Sequence, residues 1–426
     1  MVSRPLKVVV LAAGKSTRMK SDTPKVLHKV AGAPVLKWVL EQARSLQPAE
    51  IIVVVGHEAD AVRKAFASFP GTRFVTQEPQ LGTGHAVMQA RAALAGFEGD
   101  LCVLCGDVPL LKPETLVRFL ADYRHSKAVA SVLTARFPDP TGYGRIVRDA
   151  QGRLTQIVEQ KDLVPELADI REVNTGTYLF DAAALWARLD RLTTKNAQGE
   201  YYLTDVIQLL CLDKQPVAAT VCEDRQEVIG INNRRDLAMA DAVARGWIML
   251  DLMLNAGVTI LDPASTYIEV GVRIGRDSTV YPCTAIHSGV VIGRRCEIGP
   301  FAHIRGGTKV GDNCKVGAFV ETKNAVFGEG SKAGHLAYLG DVTMGKDVNI
   351  GAGSIVANYD GQKKHQTEIG DEAFIGCGTV LVAPVKVGRN AQTGANTVVP
   401  RGKDVPDDTI VVGIPARELK KKPKKQ

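Results

Sequence analysis

The sequence has no run of about eighteen apolar residues, the length a helix needs to cross a hydrocarbon core, so no membrane insertion is expected. Its opening stretch, Met1 to Ser16, has too short an apolar part and turns polar too early to act as a secretory leader. Cysteine is sparse, at eight residues in 426, and scattered through strand-like segments. Cys102 and Cys105 have CxxC spacing, but they fall in an apolar strand without a second ligand pair; buried thiols are expected there, not zinc or a redox couple. A reducing, cytoplasmic setting is the matching expectation. Positive charge is also scarcer than the net +7 suggests, because Arg417 to Gln426 holds six basic residues against one acid. That tail supplies five of the seven charges and leaves the body nearly neutral. Aromatic residues make up 5% of the chain and are not interleaved with basic patches, which argues against a nucleic-acid partner.

What is present is a period of six. Ile268, Ile274, Val280, Ile286, Ile292, Ile298, Ile304, Val310 and Val316 recur at that interval, with glycine following at Gly275, Gly293, Gly299, Gly311 and Gly317. No helix has this period, and a half-buried strand repeats every second residue. One aliphatic in six suits a prism-shaped coil in which each short strand points one side chain inward and stacked rungs share the core. The phase slips at Phe327–Gly328, Ala333–Gly334 and Leu339–Gly340, slips again at Met344–Gly345 and Ile350–Gly351, and recovers at Ile369–Gly370. Between Ile355 and Ile369 lies a polar interruption, Ala357 to Thr367. A repeat that breaks phase where His, Lys, Tyr and Asn cluster reads as a scaffold carrying a site.

The remainder reads differently. The chain is long enough for two or more domains, and 45% hydrophobic with 23% charged residues describes a globular protein. Lys7–Ala12, Ile51–Gly56 and Leu101–Cys105 are short aliphatic runs, alternating with helical spacing over Val35–Leu46, Ala59–Ala67 and Gly84–Ala95. That alternation predicts a Rossmann-like α/β domain with a mostly parallel sheet, its ligand beyond the carboxyl ends of the strands. Arg234–Asn255 is expected to form one helix with an apolar stripe of Leu237, Ala240, Ala244, Trp247, Leu250 and Leu254. The expected division is therefore an α/β domain over 1–231, a helical linker over 232–257, an all-β parallel β-helix over 258–400 and a basic tail over 401–426.

Leu11-Ala-Ala-Gly-Lys-Ser-Thr-Arg-Met19 follows the first strand directly, and a small turn there lets backbone N–H groups approach phosphates closely. Arg18 and Lys25 add cations on the same loop, although the spacing fits neither a Walker A loop nor GxGxxG. With Pro24-Lys25-Val-Leu-His28 downstream, this stretch resembles nucleotidyltransferases that join a sugar 1-phosphate to a nucleoside triphosphate. Gln80-Leu-Gly-Thr-Gly-His-Ala86, Gly106-Asp107-Val-Pro-Leu110, Thr141-Gly-Tyr-Gly-Arg145, Ile157-Val-Glu159, Asn174-Thr-Gly176, Gly199-Glu-Tyr-Tyr202 and Gly230-Ile-Asn-Asn-Arg234 continue the match in order. With the hexapeptide array behind them, residues 5 to 400 resemble the bifunctional N-acetylglucosamine-1-phosphate uridylyltransferase/glucosamine-1-phosphate acetyltransferase family.

The resemblance implies a left-handed β-helix packed as a homotrimer, with UTP and acetyl-CoA as co-substrates and Mg²⁺ as cofactor. It implies nucleotide contacts at Leu11, Ala12, Ala13, Gly14, Lys25, Gln77, Gly82, Thr83, Cys105, Gly106 and Asp107, and amino-sugar contacts at Gly144, Glu159, Asn174 and Asn232. Asp107 and Asn232 would share the magnesium ion, a reasonable set because this ion takes few protein oxygens and keeps several waters. Arg18 and Lys25 would neutralise charge during transfer. In the coil, His335 would be the base for acetyl transfer, suited by an ordinary pKa close to working pH. Arg305, Lys323, Tyr338, Asn349 and Lys364 would hold glucosamine 1-phosphate, with Glu321 helping to orient the site. Ala352, Asn358, Tyr359, Cys377 and Ala395 would hold acetyl-CoA. Three positions depart from the family pattern: Ser16 replaces a commoner glycine, Cys105 an aromatic and Cys377 a serine. The end departs most, because Val411-Val-Gly-Ile-Pro-Ala-Arg417 has no in-register cation for the CoA phosphates; Arg417 or the lysine run is the substitute expected.

Two other readings are distinguishable. The coil could serve as a trimerising scaffold alone, or the first domain could act on glucose or mannose phosphates under a regulatory coil. The joint presence of His335, Arg305, Lys323, Tyr338 and Asn349 argues against the first. Gly230–Arg234 and Gly334–Gly340 argue against the second.

Overall fold

The computed structural model describes residues 4–419. They form two compact units, divided in the chain between Asp241 and Ala242.

The first unit is built on one twisted sheet. Its strands are β1 (Leu6–Ala12), β2 (Ile51–Val55), β3 (Thr72–Thr76), β4 (Asp100–Cys105), β5 (Ala130–Arg136), β6 (Arg145–Arg148), β7 (Leu154–Val158), β8 (Glu172–Asp181) and β9 (Val217–Cys222). The order is β9-β5-β8-β4-β1-β2-β3, with β6 and β7 forming a ribbon attached to β8. β1, β2, β3 and β4 are parallel, β9 runs parallel to β5, and β8 runs antiparallel to both of its neighbours. All five residues of β2 are buried, as expected of a strand covered by helices on both faces. Helix α1 (Val35–Ser45) shows how the covering works: Val35, Leu36, Val39, Leu40 and Ala43 fall at helical spacing and are all buried. The predicted helix over Gly84–Ala95 is shorter in the fold. It breaks into a Thr83–Gln89 helix and a separate turn at Ala92–Leu94.

The second unit is a parallel β-helix. Over its regular turns, up to Val310, its strands form three ladders, each joining every third strand in sequence, and the register explains the period. Ile268 stands beside Ile286 and Ile286 beside Ile304; likewise Ile274, Ile292 and Val310 line a second wall, and Val280, Ile298 and Val316 a third. Three hexapeptides therefore make one turn, and each array aliphatic is 5% exposed or less, so the interior is one continuous column. Burial of each such side chain contributes about 1.5–3 kcal/mol, and no rung could gain it without a neighbour. The phase slips are turns one residue shorter, as Val310↔Phe327, Val316↔Ala333 and Thr322↔Leu339 show. The polar interruption lengthens one turn, so that Ile355 pairs with Val380.

One stack of buried polar side chains inside the coil is matched in repeating fashion. Ser278 Oγ donates to Gly293 O at 2.9 Å and accepts from Cys296 N–H at 3.0 Å; Ser331 repeats this with Gly345 O and Val348 N–H. Cys296 and Cys314 occupy the intervening positions, their thiols donating to Gly311 O and Gly328 O at 3.1 Å each. These cysteines are structural donors, and Cys102 is likewise buried; Cys283 and Cys377 are exposed.

Two expectations are corrected here. The helix Arg234–Leu254 forms, but its buried positions are Ala240, Ala244, Met249 and Leu252, whereas Leu250 and Leu254 are 49% and 73% exposed. The final turns face the column with Met249 and Leu252, which rotates the buried stripe away from the simplest helical reading. The coil also continues past position 400. Val405 and Val411 keep the six-residue interval after Val399, both are buried, and Ile410–Val412 pairs in parallel with Gln392–Thr393. Arg417–Glu418 then folds back antiparallel and caps that strand. The lysine run from Lys420 lies outside the described residues.

Candidate active sites

At the carboxyl ends of β1 to β4 the backbone turns open a cleft of about 360 Å³. Leu11, Ala12, Ala13 and Gly14, which end β1 and begin the turn after it, line the cleft together with Gln77, Gly82 and Thr83. Lys25, Cys105 and Asp107 line it as well, so ten of the eleven predicted nucleotide residues meet there. The eleventh, Gly106, is packed behind the wall: its N–H donates to Leu11 O at 2.9 Å, and a Cβ would stand 2.9 Å from the same oxygen. Gly82 needs to be glycine for two reasons. Its φ is +102°, and a Cβ would meet Tyr201 O at 2.6 Å, closing the approach of this loop to the 200–202 segment.

Polar groups at the cleft are oriented by neighbours. The buried Gln77 donates through Nε2 to Gly82 O at 2.9 Å, with His85 Nδ1 at 3.2 Å. Thr83 Oγ1 accepts from Leu203 N–H at 3.0 Å. Lys25 Nζ lies 2.5 Å from Asp107 Oδ2, and Arg18 Nη2 donates to Asn232 Oδ1 at 2.8 Å. Asp107 and Asn232 are joined through the chain by Ile231 N–H, which donates to Asp107 O at 2.9 Å. His57, Gln80 and Glu200 also line the cleft and were not singled out from sequence. Gln80 and Glu200 lie inside recognised motifs; His57 comes one residue after Gly56 at the end of β2, which is the signal that places it at a strand's carboxyl end.

Gly144, Glu159, Asn174 and Asn232 stand outside that lining. Gly144 O accepts from Asn174 N–H at 2.9 Å, and Asn174 Nδ2 donates to Tyr178 Oη at 2.7 Å. Glu159 accepts from Thr204 Oγ1 at 3.2 Å; burial raises its pKa, and Asp205, Asp162 and Glu200 add to the effect. Cys105 connects this group to the cleft, donating to Gly176 O at 3.3 Å. Burial pushes its thiol up to about 12, which disfavours the thiolate that a nucleophile would need.

On the coil, the predicted residues fall on two adjacent ladders and the corner between them. His335 ends the Lys332–His335 strand, opposite Ala318, and is exposed. The hydrogen bonds Gly353 N–H to Leu336 O and Gly378 N–H to Ala352 O stack the following turns at the same corner. Asn396 N–H to Cys377 O continues the stack. His335, Ala352, Cys377 and Ala395 therefore form one column, open and lined by small side chains beyond the imidazole. Asn349 lies on the ladder of the His335 strand, beside Lys332.

Arg305, Lys323 and Tyr338 belong to the next ladder, where Glu321 pairs with Tyr338 and Lys323 with Gly340. Arg305 donates to Glu321 Oε1 at 2.9 Å. Lys364 reaches this group from the interruption: the Lys323 ammonium is held below its ordinary range by the adjoining Lys364, with Arg305 adding to the repulsion. Three cations are thus gathered on one face. Asn358 Nδ2 donates to Asp341 Oδ2 at 2.5 Å, and Tyr359 is 60% exposed. Asp341 was missed in the sequence, where it follows the Gly340 motif end; it also accepts from Asn324 at 3.0 Å. Arg417 is exposed in the capping strand.

Among the described residues, no three His, Cys, Asp or Glu side chains gather as a metal site, and no helix is long and apolar enough to cross a membrane. Asp107 and Asn232 do offer hard oxygen donors of the kind magnesium takes, and in this structure those oxygens are engaged by Lys25 and Arg18, which a bound ion would have to displace.

Comparison with known proteins agrees with both units. A MobA-like NTP transferase domain matches residues 8–172, and the bacterial transferase hexapeptide (six repeats) matches 271–304, 289–324 and 366–401. The chain is 44% identical over 438 residues to the bifunctional protein GlmU of Trichlorobacter lovleyi, covering 95% of each. It is 44% identical over 458 residues to that of Geobacter metallireducens, covering 96% of each, and 44% identical over 439 residues to that of Lactococcus lactis subsp. cremoris, covering 95% of this chain and 94% of the other.

Proposed function

Because the chain belongs to the family of bifunctional GlmU proteins, we propose that its two half-reactions run through the two groups of residues described above. It acetylates glucosamine 1-phosphate with acetyl-CoA, then transfers UMP from UTP to N-acetylglucosamine 1-phosphate. The products are UDP-N-acetylglucosamine, a precursor of cell-envelope polysaccharides, and pyrophosphate.

In acetyl transfer, the amine of glucosamine 1-phosphate is largely protonated near neutrality and must lose a proton to attack. His335 takes that proton as general base. The nitrogen lone pair forms the N–C bond to the thioester carbonyl carbon, the C–S bond breaks, and the second nitrogen proton passes to the departing thiolate, so that CoA leaves as thiol. Arg305, Lys323 and Lys364 hold the sugar phosphate, with Tyr338 and Asn349 on the sugar. The column Ala352, Cys377 and Ala395 leaves the coil wall low enough for the thioester arm, with Asn358 and Tyr359 beside it. The observation that carries this reading is that His335 heads an open column of small residues while Arg305, Lys323 and Tyr338 stand together on the adjoining ladder, a base beside cations for a sugar phosphate.

In uridylyl transfer, a phosphate oxygen of N-acetylglucosamine 1-phosphate attacks the α-phosphorus of UTP in line and pyrophosphate leaves. No covalent intermediate with the protein is needed; positioning and neutralisation of charge carry the step. Lys25 and Arg18 supply cations, Gln77, Gly82 and Thr83 hold the nucleotide, and Gly144, Glu159 and Asn174 face the amino sugar. Asp107 and Asn232 would hold Mg²⁺, which supplies further neutralisation of the polyphosphate when bound.

A homotrimer through the β-helix, in which neighbouring coils complete each acetyl site, and a cytoplasmic location belong to the same proposal. The full chain is tested in two assays. Thiol release from glucosamine 1-phosphate and acetyl-CoA, and pyrophosphate release from N-acetylglucosamine 1-phosphate, UTP and Mg²⁺, should both be found. Absence of thiol release would leave the coil a scaffold.

A further inference from the structure

The interruption that carries Lys364 folds as a small hairpin. Tyr359 pairs antiparallel with Lys364, and Asp360 Oδ1 accepts from Gln362 N–H at 2.9 Å and Lys363 N–H at 2.8 Å. At its base, His365 N–H donates to Asn358 O at 2.8 Å. Asn358, at the hairpin's base, donates to Asp341, which also accepts from Asn324 and follows Gly340, the register partner of Lys323; the hairpin is thereby seated beside the Lys323 rung, where Lys364 meets Lys323 and Arg305 and like charges repel. Charge alone would therefore push the hairpin off the coil wall until an anion arrived.

A second set of contacts opposes that push. Asp360 Oδ2 lies 2.6 Å from His365 Nε2 and accepts from Arg401 Nη2 at 3.0 Å. The same guanidinium nitrogen is 2.5 Å from His365 Nε2, and Arg401 Nε donates to Ala383 O at 3.2 Å on the coil wall. The Lys363 N–H, followed by His365, Gln362 N–H and Arg401, holds the Asp360 carboxyl well below the usual carboxylate range, so it keeps its charge. Arg401 thus ties two hairpin side chains to a later turn of the coil.

We propose that Arg401, acting through Asp360 and His365, is a positioning residue for acetyl transfer, holding the hairpin so that Lys364 already stands beside Lys323 and Arg305 before the sugar phosphate binds. The inference rests on the assignment of those three cations to glucosamine 1-phosphate. It identifies a source of preorganisation: the repulsion is accepted when the chain folds, so substrate binding does not have to order the hairpin.

The test uses the full chain as Arg401→Ala, Arg401→Lys, Lys364→Ala and the Arg401→Ala/Lys364→Ala double variant. Kinetics of thiol release are combined with hydrogen exchange at the amides of Gln362, Lys363 and His365. Arg401→Ala should speed exchange at these amides and raise KM for glucosamine 1-phosphate by about tenfold to a hundredfold. Pyrophosphate release should be unchanged, and Arg401→Lys should recover part of the loss. In the Lys364→Ala background Arg401→Ala should add little, because both changes remove one contact. Unchanged exchange in Arg401→Ala would overturn the latch itself. Faster exchange with unaltered KM, an effect confined to KM for acetyl-CoA, or full additivity with Lys364→Ala would overturn its role in placing Lys364. A Lys364→Ala variant with normal KM would instead overturn the phosphate assignment, while exchange would still decide whether the latch exists.

Discussion

Lys25 Nζ lies 2.5 Å from Asp107 Oδ2, where the turns after β1 and β4 converge. On the proposed assignment, both members of this pair would exchange their partner for ligand charges when UTP and magnesium bind. Asp107→Ala should lower pyrophosphate release by about a hundredfold or more and leave thiol release intact. Pyrophosphate release undiminished in that variant would remove Asp107 from the metal assignment.

His335 occupies an exposed corner opposite Ala318, at the head of a column of small residues. His335→Ala should reduce thiol release by about 10²–10⁴-fold, the usual contribution of a general base, with uridylyl transfer unaffected. Thiol release that survives the change would end its assignment as base.

Gly82 has φ +102° and no room for a Cβ beside Tyr201 O. Gly82→Ala should raise KM for UTP in the pyrophosphate assay, because the loop carrying Thr83 must shift. Gly14, where a Cβ would meet nothing within 4 Å, provides the contrast. Gly14→Ala should melt at the wild-type temperature, and a loss of UTP affinity in that variant would then report on the ligand and not on the fold. Equal melting temperatures and equal KM in both variants would contradict the description of the cleft.

Burial, reinforced by Asp162, raises the Asp205 carboxyl to about 6. A carboxyl raised on folding favours the protonated native state, so its destabilising effect is absent below the unfolded pKa and grows as pH rises through the folded one. Asp205→Asn should therefore unfold at a higher temperature than the parent at pH 7.5, by about 1–2 kcal/mol after allowance for partial exposure, and show no gain at pH 4. Thermal melts at the two pH values check the sign; a gain at pH 4 alone would refute it.

Much of the coil was legible because its order is nearly one-dimensional. An aliphatic every six residues stacks on the residue one turn later, so Ile268, Ile286 and Ile304 could be aligned without knowing any distant partner. The strands around the nucleotide loop were legible for a similar local reason, since Ile51–Val55 is apolar at every position. The helix Arg234–Leu254 was read correctly in extent but not in orientation: spacing defines a stripe, and packing selected Met249 and Leu252 over Leu250 and Leu254. The end of the coil was hidden because Val405 and Val411 keep the interval without the glycine that marks it elsewhere.

The sequence by itself determined the stacked prism, the parallel sheet and the types of residue available to each site, because hydrophobic period and turn chemistry act over short separations. Only the tertiary structure decided which charges meet. Lys25 reaches Asp107 because β1 and β4 are sheet neighbours, and Lys364 reaches Lys323 and Arg305 because a hairpin folds back across the coil. Such pairings depend on strand order and on contacts such as Asp360 with Arg401, which join side chains far apart in the chain and leave no periodic trace in it.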